Sequence, residues 1–386
     1  MFAGRTKWNL APNRLSEALA RHRAAGKPLV DLTVSNPTEC GFTYDEQAIL
    51  EALQHPGALK YQPEPRGLVS ARRCVGGYYA ERGVNVAIDD IFLTTSTSEA
   101  YSYVFRLLCN PGDEILIPAP SYPLFDFLAD IQDIKPARYP LVYDYGWQID
   151  FHALQQAITP RTRAVVVVHP NNPTGHFTKR AEAEKLNALC AERGLALVVD
   201  EVFLDFFLGP DRPSSFARNS VALTFALSGI SKICGLPQMK VAWLVISGPQ
   251  TLKNEAKARL EVIADTFLSM NAPVQLALPV FLSQGPLFQR QLMERVRQNL
   301  AELDRQLTLQ EVCSRLEVEG GWYAVLRVPA TRSDEDLALA LLEEKGVYVH
   351  PGHFYDFPHD GFLVLSLICD ETGLSKGLRS LLMQFH

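Results

Sequence analysis

The chain has no internal repeat, no low-complexity tract and no flexible linker that would cut it in two, so its domains have to be argued from element order. No apolar run approaches the roughly 20 residues needed to span a bilayer, and the stretch from Met1 to Leu10 lacks the apolar core of a signal peptide. A cytoplasmic protein with no membrane partner is expected. Cysteine is scarce: the seven residues from Cys40 to Cys369 are scattered, odd in number and without C-x-x-C spacing. That excludes a disulfide framework and gives no sign of a metal site. Charge of one sign is also lacking, because the net charge is only −6 and acids and bases are interspersed. Neither a nucleic-acid backbone nor an anionic surface has a footprint here, which leaves small molecules as the expected partners.

What is present is an ordinary globular composition, 47% hydrophobic and 21% charged, over 386 residues. That length exceeds the size at which single cores stop growing, so two domains or one large α/β unit are expected. Short β-rich runs recur at residues 91–95, 114–118, 164–169, 195–200, 221–227 and 241–247, several apolar throughout, as strands buried on both faces should be. Helical patterns at 98–108, 179–193 and 252–268 separate many of them. The alternation predicts an α/β domain over 46–268 with a largely parallel sheet and crossover helices. After Pro273 come an amphipathic helix near 287–307, strands near 322–328 and 346–350, and a last helix near 375–385. These predict a smaller α+β domain made of 269–386 and the segment 1–45, in which a helix at 15–25 leads through an extended stretch to the polar turn 35–38.

Ligands of open α/β sheets bind beyond the carboxyl ends of the strands, so the residues that follow each strand carry the functional argument. The first run ends in Ser96, Thr97 and Ser98 before a helix, offering hydroxyls and free amides to an anion. Taken singly, this is also an ordinary N-cap. The second ends in a proline-stiffened loop carrying Tyr122, a candidate stacking face. The third ends in the turn Pro170 to Gly175, where Asn172 can donate to a phenolate oxygen. The fourth ends in Asp200, an acid whose burial demands a cationic partner such as a protonated pyridine nitrogen. The fifth runs into Ser231 and Lys232, an amine near Lys240 that desolvation would turn into a nucleophile toward a carbonyl. Together they match an aromatic aldehyde phosphate group by group.

With these residues in place, the chain resembles the class I/II aminotransferases of pyridoxal-phosphate fold type I over most of its length. The segment from Tyr61 to Gly67-Leu68 is similar to the family's Y-x-x-x-x-G-L, Asn172-Pro173-Thr174-Gly175 to its N-P-T-G, and Asp200-Glu201 to its D-E. Ser231-Lys232, followed by Lys240, resembles its Schiff-base lysine with a trailing phosphate-binding cation. The resemblance implies a large domain with a mostly parallel seven-stranded sheet and a smaller α+β domain, with pyridoxal 5′-phosphate carried on Lys232. It implies Asp200 as partner of the ring nitrogen, Asn172 as donor to the ring oxygen and Tyr122 as the stacking ring. Ser96, Thr97, Ser231 and Lys240 would hold the phosphate, with Tyr61 reaching the neighbouring subunit's phosphate in a homodimer. The implied reaction passes an amino group from an amino donor to a 2-oxo acid acceptor; a lyase, decarboxylase or cyclase on the same fold is the alternative.

Several positions depart from the family pattern. Ser96 stands in place of Gly, Phe203 in place of a Tyr that donates to the ring oxygen, Gly229 in place of Ser or Thr, and Lys240 in place of Arg. Val364 occupies the place of the arginine that clamps the substrate carboxylate, and an aliphatic side chain cannot replace a bidentate guanidinium. Either another cation takes that job, with Arg66 the candidate, or the substrate is not a standard α-amino acid.

Overall fold

The computed structural model describes residues 1–385. Its main sheet has eight strands, in the order Ile91–Thr94, Ala242–Ser247, Thr224–Gly229, Ala196–Asp200, Thr162–Val168, Glu114–Ala119, Lys135–Tyr143 and Trp147–Ile149. The pairings from Thr224–Gly229 across to Lys135–Tyr143 are parallel, and those at both margins are antiparallel. The strand Lys135–Tyr143 escapes the sequence pattern because Pro136 and Pro140 interrupt it and its burial is mixed. Trp147–Ile149 then adds an eighth, antiparallel edge strand to the expected seven.

Alternate side chains of each central strand feed opposite cores, which is why these segments read as unbroken apolar runs. Val166, Val198 and Phe225 pack with Val104 and Phe105 of helix Thr97–Leu108 and with Leu260 of helix Gln250–Phe267. Val165, Val167, Leu197 and Val199 face the other way, onto Leu186 and Leu189 of helix Arg180–Arg193. Covered on both faces, the sheet leaves only its strand ends open to ligands.

A second sheet of four antiparallel strands joins Ser314–Arg315, Tyr323–Arg327, Phe362–Ser366 and His350–Pro351. Val30–Asp31 pairs in parallel with Val347–Tyr348, tying the N-terminal segment to this smaller unit and placing the turn that follows it beside the main sheet. The helix expected near 287–307 starts much earlier and runs Ala272–Leu307, with Pro279 and Pro286 inside it. Those prolines hide its first half from a periodicity argument. Val274, Ala277, Leu278 and Phe281 belong to the core around Trp243 of the main sheet, whereas Phe288, Leu292, Val296 and Leu303 belong to the core of the smaller unit. A division between residues 268 and 269 gives the whole helix to the smaller unit, but its packing is shared. Among the described residues no single helix is long and apolar enough to cross a membrane.

Candidate active site

A cavity of about 220 Å³ opens at the carboxyl ends of the main strands, lined among others by Ser96, Thr97, Tyr122, Asn172, Asp200, Ser231 and Lys232. Sequence reasoning named all seven of these residues. Each arrives at the end of its strand, so the parallel order of the sheet brings together side chains that lie far apart in the chain.

Asp200 ends Ala196–Asp200. Its Oδ1 accepts the Val202 amide at 3.0 Å and its Oδ2 accepts the Tyr101 hydroxyl at 3.2 Å. Burial pushes its carboxyl up to about 6, against the pull of those donors and of the Lys232 charge. Lys232 lies in the short helix Ile230–Ile233, and burial holds its amine below the usual lysine value while Asp200 draws it back up. No described carboxylate pairs with it; its Nζ sits 5.0 Å from the Trp322 ring centroid and 5.7 Å from that of Phe203. A partly buried amine and a partly buried acid therefore share one cavity without forming an ion pair, and each is shifted toward its neutral form.

Asn172 is the lining residue whose side-chain amide has an atom left without a partner. Its Oδ1 is buried, and no described residue bonds to it. That atom is an acceptor and calls for a donor, whereas the donor that a ring oxygen would need is the Nδ2 of the same amide. At the opposite wall Ser96 caps the helix Thr97–Leu108, its Oγ accepting the Glu99 amide at 3.1 Å. The Ala100 amide bonds to the Ser96 carbonyl, leaving the Thr97 and Ser98 amides directed out of the helix end as an anion site. Tyr122 is 45% exposed at the rim, so its ring face is open to stacking. A planar ring bearing an aldehyde, a phenolate oxygen, a basic nitrogen and a phosphate fits this set.

Three expected residues lie elsewhere. Arg66 does not line the cavity; its Nε donates to Glu261 at 3.0 Å, its Nη1 donates to the Asp89 carbonyl at 3.2 Å, and the guanidinium stacks over Phe92. The expected carboxylate clamp at Arg66 is thus corrected: helix Gln250–Phe267 supplies an acid that already occupies it. Lys240 is an exposed residue in the left-handed region (φ 53°), outside the cavity lining. Tyr61 is 78% exposed and borders a separate cavity with Leu268 to Pro273.

The departures from the family pattern have local causes. A Cβ on Gly229 would lie 2.9 Å from the Ala242 Cα and from the Val241 carbonyl oxygen, so no Ser or Thr fits. Phe203 packs edge-on against Trp322, with centroids 4.7 Å apart, and has no hydroxyl to offer. Val364 is 1% exposed in the middle of Phe362–Ser366. Ser35 and Tyr323 line the cavity, and sequence reasoning assigned neither a role. Tyr101 was missed as well, since a tyrosine at an apolar helical position reads as core. Glu201, next to Asp200, is structural: its Oε2 accepts the Ser215 hydroxyl at 2.7 Å and its Oε1 the Phe216 amide at 2.6 Å.

Residues 27–380 match the family described as Aminotransferase class I and II. The glutamate-pyruvate aminotransferase of Escherichia coli (strain K12) is 27% identical over 259 residues, 67% of this chain and 64% of that protein. The aligned part of this chain therefore spans just under two thirds of that relative's length. The alanine aminotransferase of Mycobacterium tuberculosis (strain ATCC 25618 / H37Rv) is 29% identical over 375 residues, 94% of this chain and 86% of that one. In structure, an alanine aminotransferase from Pyrococcus furiosus superposes with a TM-score of 0.91 over 100% of both chains at 21% identity, which shows the fold to be shared. On the family match over residues 27–380, the chain belongs to the class I and II aminotransferases, whose members transfer amino groups with pyridoxal 5′-phosphate.

Proposed function

We propose that this chain moves an amino group from an amino acid or related amine to a 2-oxo acid, with pyridoxal 5′-phosphate held on Lys232. The observation that carries the reading is one cavity lined by Lys232 and Asp200, neither of them in an ion pair, together with Asn172. When bound, the cofactor supplies an electron sink for the electron pair left on the substrate carbon. Asp200 keeps a proton on the ring nitrogen, and its charge, fixed by Val202 and Tyr101, stabilises that proton through the reaction. Asn172 donates to the ring oxygen, alone in that duty because Phe203 cannot. Tyr122 covers one ring face. The Thr97 and Ser98 amides and the hydroxyls of Ser96, Thr97 and Ser231 would hold the phosphate; Lys240, exposed in the adjoining turn outside the lining, would have to move to join them.

Lys232 would act twice: its amine, shifted toward the neutral form by burial, would hold the cofactor, and as a free amine it would take a proton from the substrate α-carbon and return it. In this reading a homodimer completes the site, with Tyr61 serving the neighbour's phosphate; its exposure on its own subunit, away from the cavity, supports that role. The protein works in the cytoplasm. A spectrophotometric screen of amino acids against the cofactor-loaded protein tests the reaction. The expected result is accumulation of the amine form of the cofactor, discharged by a 2-oxo acid. Return to the starting spectrum with release of a deaminated or decarboxylated product would instead establish a lyase. Borohydride is expected to fix the chromophore on Lys232, and labelling of any other lysine would refute the assignment.

A further inference from the structure

The cavity has one cation on its wall, Lys232, and the proposed reaction commits it to the cofactor. An acidic substrate end therefore needs another recognition group, and Val364 offers none. The register of the smaller sheet shows where one stands. Val364 is paired with Val325 on one side and with His350 on the other. Directly paired residues on antiparallel strands project to the same face, as do residues two apart on one strand. The His350 ring thus shares the face of Val364 with Tyr323; Tyr323 lines the cavity, and Val364 and His350 lie behind it, outside the lining.

His350 is also prepared for the task. Its Nδ1 lies 3.1 Å from the Tyr355 hydroxyl. The Tyr355 carbonyl accepts the Ser121 amide at 2.9 Å, which anchors this pair to the loop that carries Tyr122. Burial pushes the Tyr355 phenol well above its usual value, so it stays protonated and is able to donate to Nδ1. With Tyr355 as that donor, the ring hydrogen lies on Nε2. No described residue bonds to Nε2, and it is not sealed off as both ring nitrogens of the buried His176 are. Burial holds the imidazole below its usual value while Asp31 pulls it up, so the free ring is a neutral donor.

We propose that His350, seated beside Val364 and braced by Tyr355, is the specificity-determining residue that receives the carboxylate of amino donor and 2-oxo acid through its Nε2–H, in place of a guanidinium clamp. The proposal rests on the aminotransferase reading above, and its test separates the two by measuring binding without turnover. Propionate and propionamide, which carry no amine to transfer, are titrated into the cofactor-loaded protein and read by the change in cofactor absorbance. The wild type is expected to prefer propionate by about 10- to 100-fold, the range for a hydrogen bond to a charged group. His350→Phe should abolish that preference, His350→Gln should retain part of it, and Val364→Arg added to His350→Phe should restore it. An unchanged preference in His350→Phe, or equal binding of the two ligands by the wild type, overturns the proposal. Failure of every amino acid to convert the cofactor would count against aminotransfer and leaves this binding result standing on its own.

Discussion

Replacing Asp200 by Asn should strengthen the ligand-free protein while weakening the enzyme. The acid sits at the end of an apolar strand, and burial raises it from 3.8 to about 6 even with two donors and Lys232 in its favour. Because the folded-state value is raised, the native chain binds more protons than the unfolded chain between about pH 4 and pH 6. Stability falls as pH rises through that window, and the penalty is complete above it. A shift of that size corresponds to about 2–3 kcal/mol at 1.36 kcal/mol per unit. Asn keeps the shape, its oxygen can still accept the Val202 amide, and the Tyr101 hydroxyl can turn to accept from its NH₂. Denaturant midpoints of ligand-free protein from pH 4 to pH 8 should show the variant gaining on the wild type across pH 4–6 and holding about 2–3 kcal/mol above it. Loading the cofactor should reverse the order, since only the carboxylate stabilises a protonated ring nitrogen, and the rate of amino transfer should drop by orders of magnitude. A stability difference that does not change with pH, or unimpaired turnover in the variant, would refute the reasoning.

Tyr101→Phe removes one of the two donors to Asp200, a bond to a charged group worth about 1.5–3 kcal/mol, so the Asp200 carboxyl should titrate about one to two units higher. Carbon-13 NMR of the ligand-free protein reads this directly, and an unmoved titration would show that the hydroxyl does not support the acid. Gly229→Ser should destabilise by about 1–3 kcal/mol through overpacking against Ala242, seen as a lower denaturant midpoint, and should not tighten cofactor binding. A stable variant with improved affinity would mean that the strand yields more readily than its contacts imply.

Much of the site was legible because the polar residues at the strand ends follow apolar runs, and the topology of a parallel sheet turns that sequence pattern into a place. Asp200, Asn172 and Lys232 were found in this way, and the lining of the cavity agrees with it. What stayed hidden depends on contacts between distant segments. Tyr323 and Ser35 reach the cavity only because the smaller sheet and the N-terminal segment fold over it. Arg66 looked free in the sequence, and only the fold reveals Glu261 beside it. The strand Lys135–Tyr143 and the first half of the helix Ala272–Leu307 were obscured by prolines, whose local bias the surrounding packing overrides.

That helix has a further consequence for how the chain can be divided. Its early residues complete the core under Trp243, and its later ones complete the core under Leu365 and Leu378. Any fragment ending before Ala272 would expose the seat of Phe281, and any fragment beginning there would carry Val274 and Phe281 into water with nothing to cover them. Both bodies therefore lose apolar burial when either is cut away, and their unfolding is coupled through a single rod.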